Sequence, residues 1–438
     1  VIVLPANYVL LERIELNASA ASVTFANIPQ SGYTDLKVVA SIRGTQSANY
    51  IGTDISFNGT STTTNWSRRQ LEGGDGTVSS YSSTASQLGY SPGATMTANT
   101  FSNIEMYIPN YTSSNYKSVS IDSVGEGNQA NAVYSDLFAE LWSNTAAITS
   151  ITLSVSSNAF AQYSTFSLYG LAALGTTPVI APKASGGNII DFDGTYWIHT
   201  FTSSGTFTPN QTLSCEYLVI AGGGGGGYGY GAGGGAGGYR TSVVGATTGG
   251  GGSAESTLSL ANATAYTVTV GAGGPSRVAI GGLSAGYGGS GSNSVFSTIT
   301  STGGGGGGFV GNVGLTGGSG GGGGGTGGTP NAAGGARTAS PVQGFDGGSA
   351  NENGGGGGGA GATGVFASQN GGAGLSNSIT GVAVNRGGGG GGNISTSQGG
   401  IGGGGAVDVS GTLNTGGGGG SQNGNGGSGI VIVRYLAA

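Results

Sequence analysis

From residue 222 onward the chain is built on solid blocks of glycine, with unbroken runs at 222–227, 303–308, 354–359 and 387–392. Glycine gives up more conformational freedom on ordering than any other residue, so a folded structure made of it needs a strong reason. Four readings compete. Collagen needs glycine at every third position together with abundant proline, whereas these runs are solid and only Pro275, Pro330 and Pro341 fall among them. A flexible linker would not be punctuated by strand-like segments such as "AYTVTV", "SVFSTITST" and "GIVIVRY". An RNA-binding Arg-Gly tail would cluster its arginines, and here Arg240, Arg277, Arg337, Arg386 and Arg434 are scattered. The fourth reading is a packed bundle of polyglycine II helices. That left-handed helix has three residues per turn and no internal hydrogen bonds, so its N–H and C=O groups must pair with neighbouring helices. A helix surrounded on every side has no room for a Cβ in any direction, which is why the runs are solid.

The rest of the composition narrows the field. The 438 residues carry a net charge of −6, and only 7% are charged. That balance argues against nucleic acid, whose partners are basic, and against polybasic attachment to lipid. No apolar run reaches the length of a membrane helix, so neither nucleic acid nor membrane insertion is expected. No signal peptide is readable at Val1. The single cysteine, Cys215, excludes an internal disulfide framework.

Residues 1–175 read as an all-β, jelly-roll-like sandwich of seven to nine strands. "YVLLERIEL", "ASVTF", "LKVVASI", "IEMYI", "KSVSI", "AITSITLSV" and "TFSLYGL" are short, β-branched or alternating runs between turn-forming clusters. "YSDLFAELW" (Tyr134 to Trp142) is the one segment that reads as helical. Residues 176–187 read as a linker, and 188–221 as a β-hairpin turning at Ser203-Ser204-Gly205 followed by the strand "CEYLVI". Residues 222–438 read as the polyglycine II bundle, closed by a C-terminal strand.

The series "HTFTSSGTFTP", "EYLVIAGGGGGG", "AYTVTVGAGG" and "GGSGIVIVRY" resembles the glycine-rich domain of bacteriophage tail-fibre and virion-fibre proteins over residues 188–436. Its glycine packing is similar to that of the tip adhesins of T-even-type long tail fibres. "ISFNG", "IEMYIPNY" and "WSNTAAITSITLSV" resemble the β-sandwich modules of phage fibres. The resemblance implies a protein at the virion surface that contacts a host cell through the loops between glycine runs. It also implies a homo-oligomer, with a trimer favoured, assembled through residues 1–175 alongside other virion proteins.

The loops can be placed by parity. If the strands at 217–220 and 430–435 share one basal sheet, successive glycine runs go alternately out and back. The loops 228–232, 309–316, 360–370, 393–401 and 421–423 then fall at the distal tip, and 329–353, 375–386 and 406–415 at the base. Arg240, Arg337, Asp346, Glu352, Arg386 and Asp408 are all basal on this count, leaving an uncharged tip. Its candidate receptor-binding residues are Tyr228, Tyr230, Phe309, Asn312, Phe366, Gln369, Asn370, Asn393, Gln398 and Gln422, a set of aromatics and amides suited to sugars or an apolar protein loop.

Catalysis finds little footing. His199 is the lone histidine and alternates with Trp197 and Phe201 along a strand, so it reads as a structural residue. One histidine and one cysteine cannot make a zinc cluster. The many GxGxxG matches lack a strand–helix context, and no lysine follows a glycine run as a phosphate loop requires. Asp191 and Asp193 in "DFDG" could hold calcium or simply be solvated. The Arg68–Arg69 pair beside Trp66 could meet an acidic glycan, a neighbouring subunit or only water. No catalytic residue, metal or cofactor is expected. The chain therefore reads as a non-enzymatic virion fibre attaching to a host glycan or outer-membrane protein, or else as a purely structural fibre, capsid-decoration or extracellular filament subunit whose glycine block is a rigid spacer. Ice binding would need a flat face of small residues at strict three-residue spacing, which solid glycine does not provide.

Overall fold

The computed structural model describes residues 8–60, 62–74, 76–127, 134–172, 182–276, 286–326, 332–366 and 368–437. They form two compact units, residues 1–182 with 188–195 and 437–438, and residues 183–187 with 196–436. Residues 176–181 of the expected linker lie outside the described residues.

The first unit contains β1 (Tyr8–Glu15), β2 (Ser22–Phe25), β3 (Tyr33–Ser41), β4 (Tyr50–Phe57), β5 (Trp66–Gly74), β6 (Thr77–Ser83), β7 (Gly89–Pro92), β8 (Asn103–Ile108), β9 (Lys117–Gly125), β10 (Tyr134–Trp142), β11 (Ile151–Val155) and β12 (Thr165–Ala172). Setting aside β5, β6, β9 and β10 leaves two sheets in the orders β1-β12-β3-β8 and β2-β11-β4-β7. First strand lies beside last and second beside second-last, which is the winding of a double Greek-key jelly roll. The pairs β5–β6 and β9–β10 are insertions that prolong the first sheet beyond β8 in the order β9-β10-β5-β6. Inward-facing Phe25, Phe57, Trp142, Phe160 and Phe166, all fully buried, fill the space between the sheets. Trp66 and Trp142 close on Phe57 at ring distances of 5.0 and 5.4 Å.

The segment read as helical is strand β10, paired along its whole length with both β5 and β9. Its buried face is Asp136, Phe138, Glu140 and Trp142, while Leu137 is 55% exposed. Two acids at core positions and a leucine at a surface position disguise a period of two.

The second unit begins with β13 (Ala184–Ser185), inside the expected linker, which pairs with β16 (Gly205–Pro209). Between them β14 (Ile189–Phe192) joins the edge of the first unit through Arg13 and Ile14 of β1, so residues 188–195 belong with the jelly roll. The expected hairpin is absent. β15 (Tyr196–Phe201) pairs with β25 (Ile430–Leu436), whereas β16 pairs with β13 and β20 (Tyr266–Thr269). The turn is a corner between two sheets, fastened where Ser204 Oγ accepts from the Val270 N–H at 3.0 Å. One basal sheet runs from β18 (Tyr239–Thr241) through β17 (Leu213–Ile220) and β25 to β15, with β19 (Leu258–Leu260) also on β17. Another continues β16 and β20 into β21 (Ser294–Phe296) and β22 (Ile299–Ser301). β23 (Leu375–Asn377) and β24 (Val384–Arg386) form a separate hairpin. The strands that enter and leave the glycine block are neighbours, with Glu216 opposite Arg434 and Ile220 opposite Ile430. Arg434 Nε donates to Glu216 Oε2 at 2.7 Å.

Residues 222–227 show what the glycine is for. Gly222 and Gly225 donate to Ser292 and Gly289, Gly223 and Gly226 to Gly427 and Gly424, and Gly224 and Gly227 to Gly235 and Ala232. Every third N–H thus meets the same neighbour, the signature of a three-residue turn. The carbonyls of Gly222, Gly223 and Gly224 accept from Gly304, Gly274 and Gly419 on three further segments. A Cβ added at Gly222, Gly223 or Gly224 would lie 2.0–2.2 Å from the carbonyl oxygens of Ala272, Gly417 and Gly305. Six neighbours surround the segment, and each backbone bond contributes about 0.5–1.5 kcal/mol against the high entropy of ordering glycine.

The bonding register also gives the direction of each segment. Those parallel to 222–227 are 271–276, 303–308, 319–325, 346–350, 362–366, 387–392, 403–406 and 416–420. Those running back are 232–238, 286–292, 312–316, 332–336, 354–360, 369–374, 398–401, 409–412 and 424–429. Several are not solid glycine, for example "NVGLT", "AAGGA" and "ATGVF". They keep glycine only where a neighbour presses, as at Gly314, whose added Cβ would meet the Gly321 oxygen at 2.0 Å.

The parity count is therefore corrected in its middle. The unnoticed return at 312–316 inverts the directions of 319–325 and 354–360, and the unnoticed outward segment 362–366 restores them. Residues 351–353 and 407–408 are distal turns, which moves Glu352 and Asp408 to the tip. Residues 360–361 are basal.

Candidate functional site at the bundle tip

All ten candidate residues fall at the distal end, where the turns are tied into one layer. The Val310 N–H donates to Gly229 at 3.2 Å, and Gly325 donates to Tyr230 at 2.9 Å. Tyr228 N–H donates to Gly286, and the ring of Phe309 meets Tyr287 edge to face at 4.8 Å. Phe309 is thus half-buried in an aromatic plug. Asn312 Nδ2 donates to the Val310 carbonyl.

The amides divide between scaffold and surface. Gln369 is 1% exposed and donates to Asn351 Oδ1 at 2.7 Å. Gln422 Nε2 donates to Asn393 Oδ1 at 2.7 Å, and Asn370 Oδ1 accepts from the Gln398 N–H at 2.8 Å. Gln369, Asn370, Asn393 and Gln422 therefore join neighbouring turns. Tyr230, Gln369, Asp408 and Gln422 hold positive φ, a conformation that a side chain adopts only when its surroundings enforce it.

The groups presented outward are apolar and acidic, beside the exposed polar residues Ser395, Thr396, Gln398 and Asn423. Tyr230 is 46% exposed, Phe366 50%, Val310 41% and Val365 41%. Glu352 and Asp408 are exposed, with Asp408 accepting from Asn423 Nδ2. Sequence reasoning missed Tyr287, Glu352, Val365 and Asp408, because each lies on or beside a segment whose helical character is hidden by side chains.

The other candidates resolve into structural roles. His199 is fully buried, 2.6 Å from the Gly186 carbonyl and 3.0 Å from Tyr435 Oη. Burial pushes its pKa down to about 4, so it is a neutral strut near pH 7. Burial likewise pushes the Cys215 thiol up to about 12, far from a reactive thiolate. Asp191 and Asp193 accept from the N–H groups of Phe192 and Thr195 in a turn. Among the described residues no three His, Cys, Asp or Glu side chains gather to hold a metal. Arg69 faces solvent, but Arg68 turns inward and donates to Gln87.

The fold and site define a β-sandwich joined to a polyglycine II bundle that presents ordered loops at one end. The family model of a glycine-rich domain matches residues 202–436, and the chain belongs to that family. A search of curated proteins returns no match.

Proposed function

We propose that this chain is a non-enzymatic phage virion fibre that attaches to a host cell surface through the tip of its glycine bundle. The observation that carries the reading is the combination of exposed Tyr230, Val310, Val365 and Phe366 with turns locked by backbone and amide bonds. Apolar groups on pre-ordered loops lose little entropy on binding. The partner is an outer-membrane protein or a surface glycan. In this reading the jelly roll assembles copies of the chain, a trimer being favoured, and meets other virion proteins.

The test is binding of the full chain to a panel of whole bacteria and purified surface glycans, beside a Tyr230→Ala/Phe366→Ala variant. Both rings are half-exposed, so the variant keeps the fold. Selective binding reduced tenfold or more supports the tip. Binding that survives unchanged moves the contact elsewhere on the chain. A second reading, the bundle as a rigid spacer, is favoured by the use of Gln369, Asn393 and Gln422 as loop ties. It predicts no binding by any folded form.

A further inference from the structure

The inserted strands of the jelly roll carry a polar seam that the attachment reading does not use. Asp136 and Glu140, 0% and 2% exposed, point from β10 toward the second sheet. Glu140 Oε1 accepts from the Gln87 N–H at 2.7 Å, and Asp136 Oδ1 accepts from Gln70 Nε2 at 3.0 Å. Their second oxygens, Glu140 Oε2 and Asp136 Oδ2, are sealed from solvent with no hydrogen-bond partner. Ser123 Oγ on β9, Thr53 Oγ1 on β4 and Arg68 Nε on β5 are sealed and unpartnered as well.

The charged and titratable groups facing this seam are few. β4 supplies Asp54, β5 supplies Arg68 and Glu72, β7 supplies Tyr90, and β10 supplies the two buried acids. β9 contributes Lys117 at the far end of its inward face, opposite Trp142, where it donates to the carbonyls of Ser113 and Asn115. Among the described residues Arg68 is the cation coupled to the carboxyls, its guanidinium 5.8 Å from the Phe138 ring centre. Two carboxylates sealed from solvent, with the half-buried Asp54 and Glu72 nearby and one guanidinium among them, would be strongly unfavourable if all were ionised. A proton on each buried acid removes a charge and supplies a donor.

We propose that the four-strand insertion is a proton-held clasp: it closes on the jelly roll while Glu140 and Asp136 are neutral and loosens as the medium becomes alkaline. Burial raises Glu140 to about 8 and Asp136 to about 6, and it also raises Asp54 and Glu72. The closed form binds more protons than the open form, so its advantage is full in acid and is lost as pH rises through these values.

Hydrogen exchange of the full chain from pH 5 to 9, corrected for intrinsic base catalysis, tests this. For β5, β6, β9 and β10 the opening equilibrium should rise more than tenfold per pH unit below about pH 6.5, where both acids contribute, then roughly tenfold per unit toward about pH 8 before levelling, while β11 stays flat. Glu140→Gln, which cannot ionise, should leave less than about a threefold rise above pH 6.5, the remainder tracing to Asp136. A flat wild-type profile, or a Glu140→Gln profile as steep as wild type, overturns the proposal. Carbon-detected titration of the wild-type carboxyls supplies a reading that needs no variant. A Glu140 midpoint in the ordinary carboxylate range also overturns it.

Discussion

A single methyl group distinguishes the two kinds of glycine in this chain. At Gly224 an added Cβ would lie 2.2 Å from the Gly305 oxygen, with backbone on every side and no side chain able to yield. At Gly245, where φ is +82°, nothing lies within 4 Å. Gly224→Ala should therefore destabilise the second unit by more than about 3 kcal/mol, because the lattice must separate. Gly245→Ala should cost only about 1–2 kcal/mol, the strain of a left-handed alanine. Denaturant unfolding of the two variants separates steric exclusion from conformational freedom. His199 is a second residue with a measurable signature. Its pKa is lowered by burial to about 4, so it stabilises the fold fully above its ordinary value near 6.5. That contribution is lost as pH falls through 4, and His199→Asn should flatten the acid limb of the stability curve.

At the scale of elements, β10 tests the phase assignment. Phe138 is buried and Leu137 exposed. Phe138→Ala should cost about 3–5 kcal/mol and Leu137→Ser less than about 0.5 kcal/mol by denaturant unfolding. A helix would put consecutive residues on no such alternation. The same element shows what the sequence hides. β1, β3 and β9 announce themselves by alternation, but β10 buries two acids at positions that a hydropathy pattern assigns to the surface. Solid glycine runs were legible for a related reason: full enclosure forbids any side chain, and nothing else in a sequence looks like that. Segments at the bundle's margin, such as 312–316 and 362–366, need glycine only on the pressed side. Their mixed composition is indistinguishable from a loop, so the tip's aromatics were legible while Glu352 and Asp408 were not.

The whole molecule joins two units whose pH responses oppose each other. In the first, Glu140 and Glu12 are raised to about 8 by burial, Glu12 also by Asp191, so stability is greatest in acid and declines as pH rises through 8. In the second, His199 makes stability greatest above pH 6.5 and weaker toward pH 4. Calorimetry from pH 6.5 to 4.5 should lower the glycine-unit transition by roughly 5 °C while the jelly-roll transition rises. Two peaks moving together would contradict the separate assignments. Because β17 and β25 stand side by side, the block's ends stay fixed whatever lies between them. Material can be gained or lost only as complete excursions, one strand of lattice out and one home. A single extra excursion would alter the set of turns on display without disturbing its footing. The coding sequence for this region can thus change its length in paired steps, re-dressing the tip while the scaffold beneath stays in register.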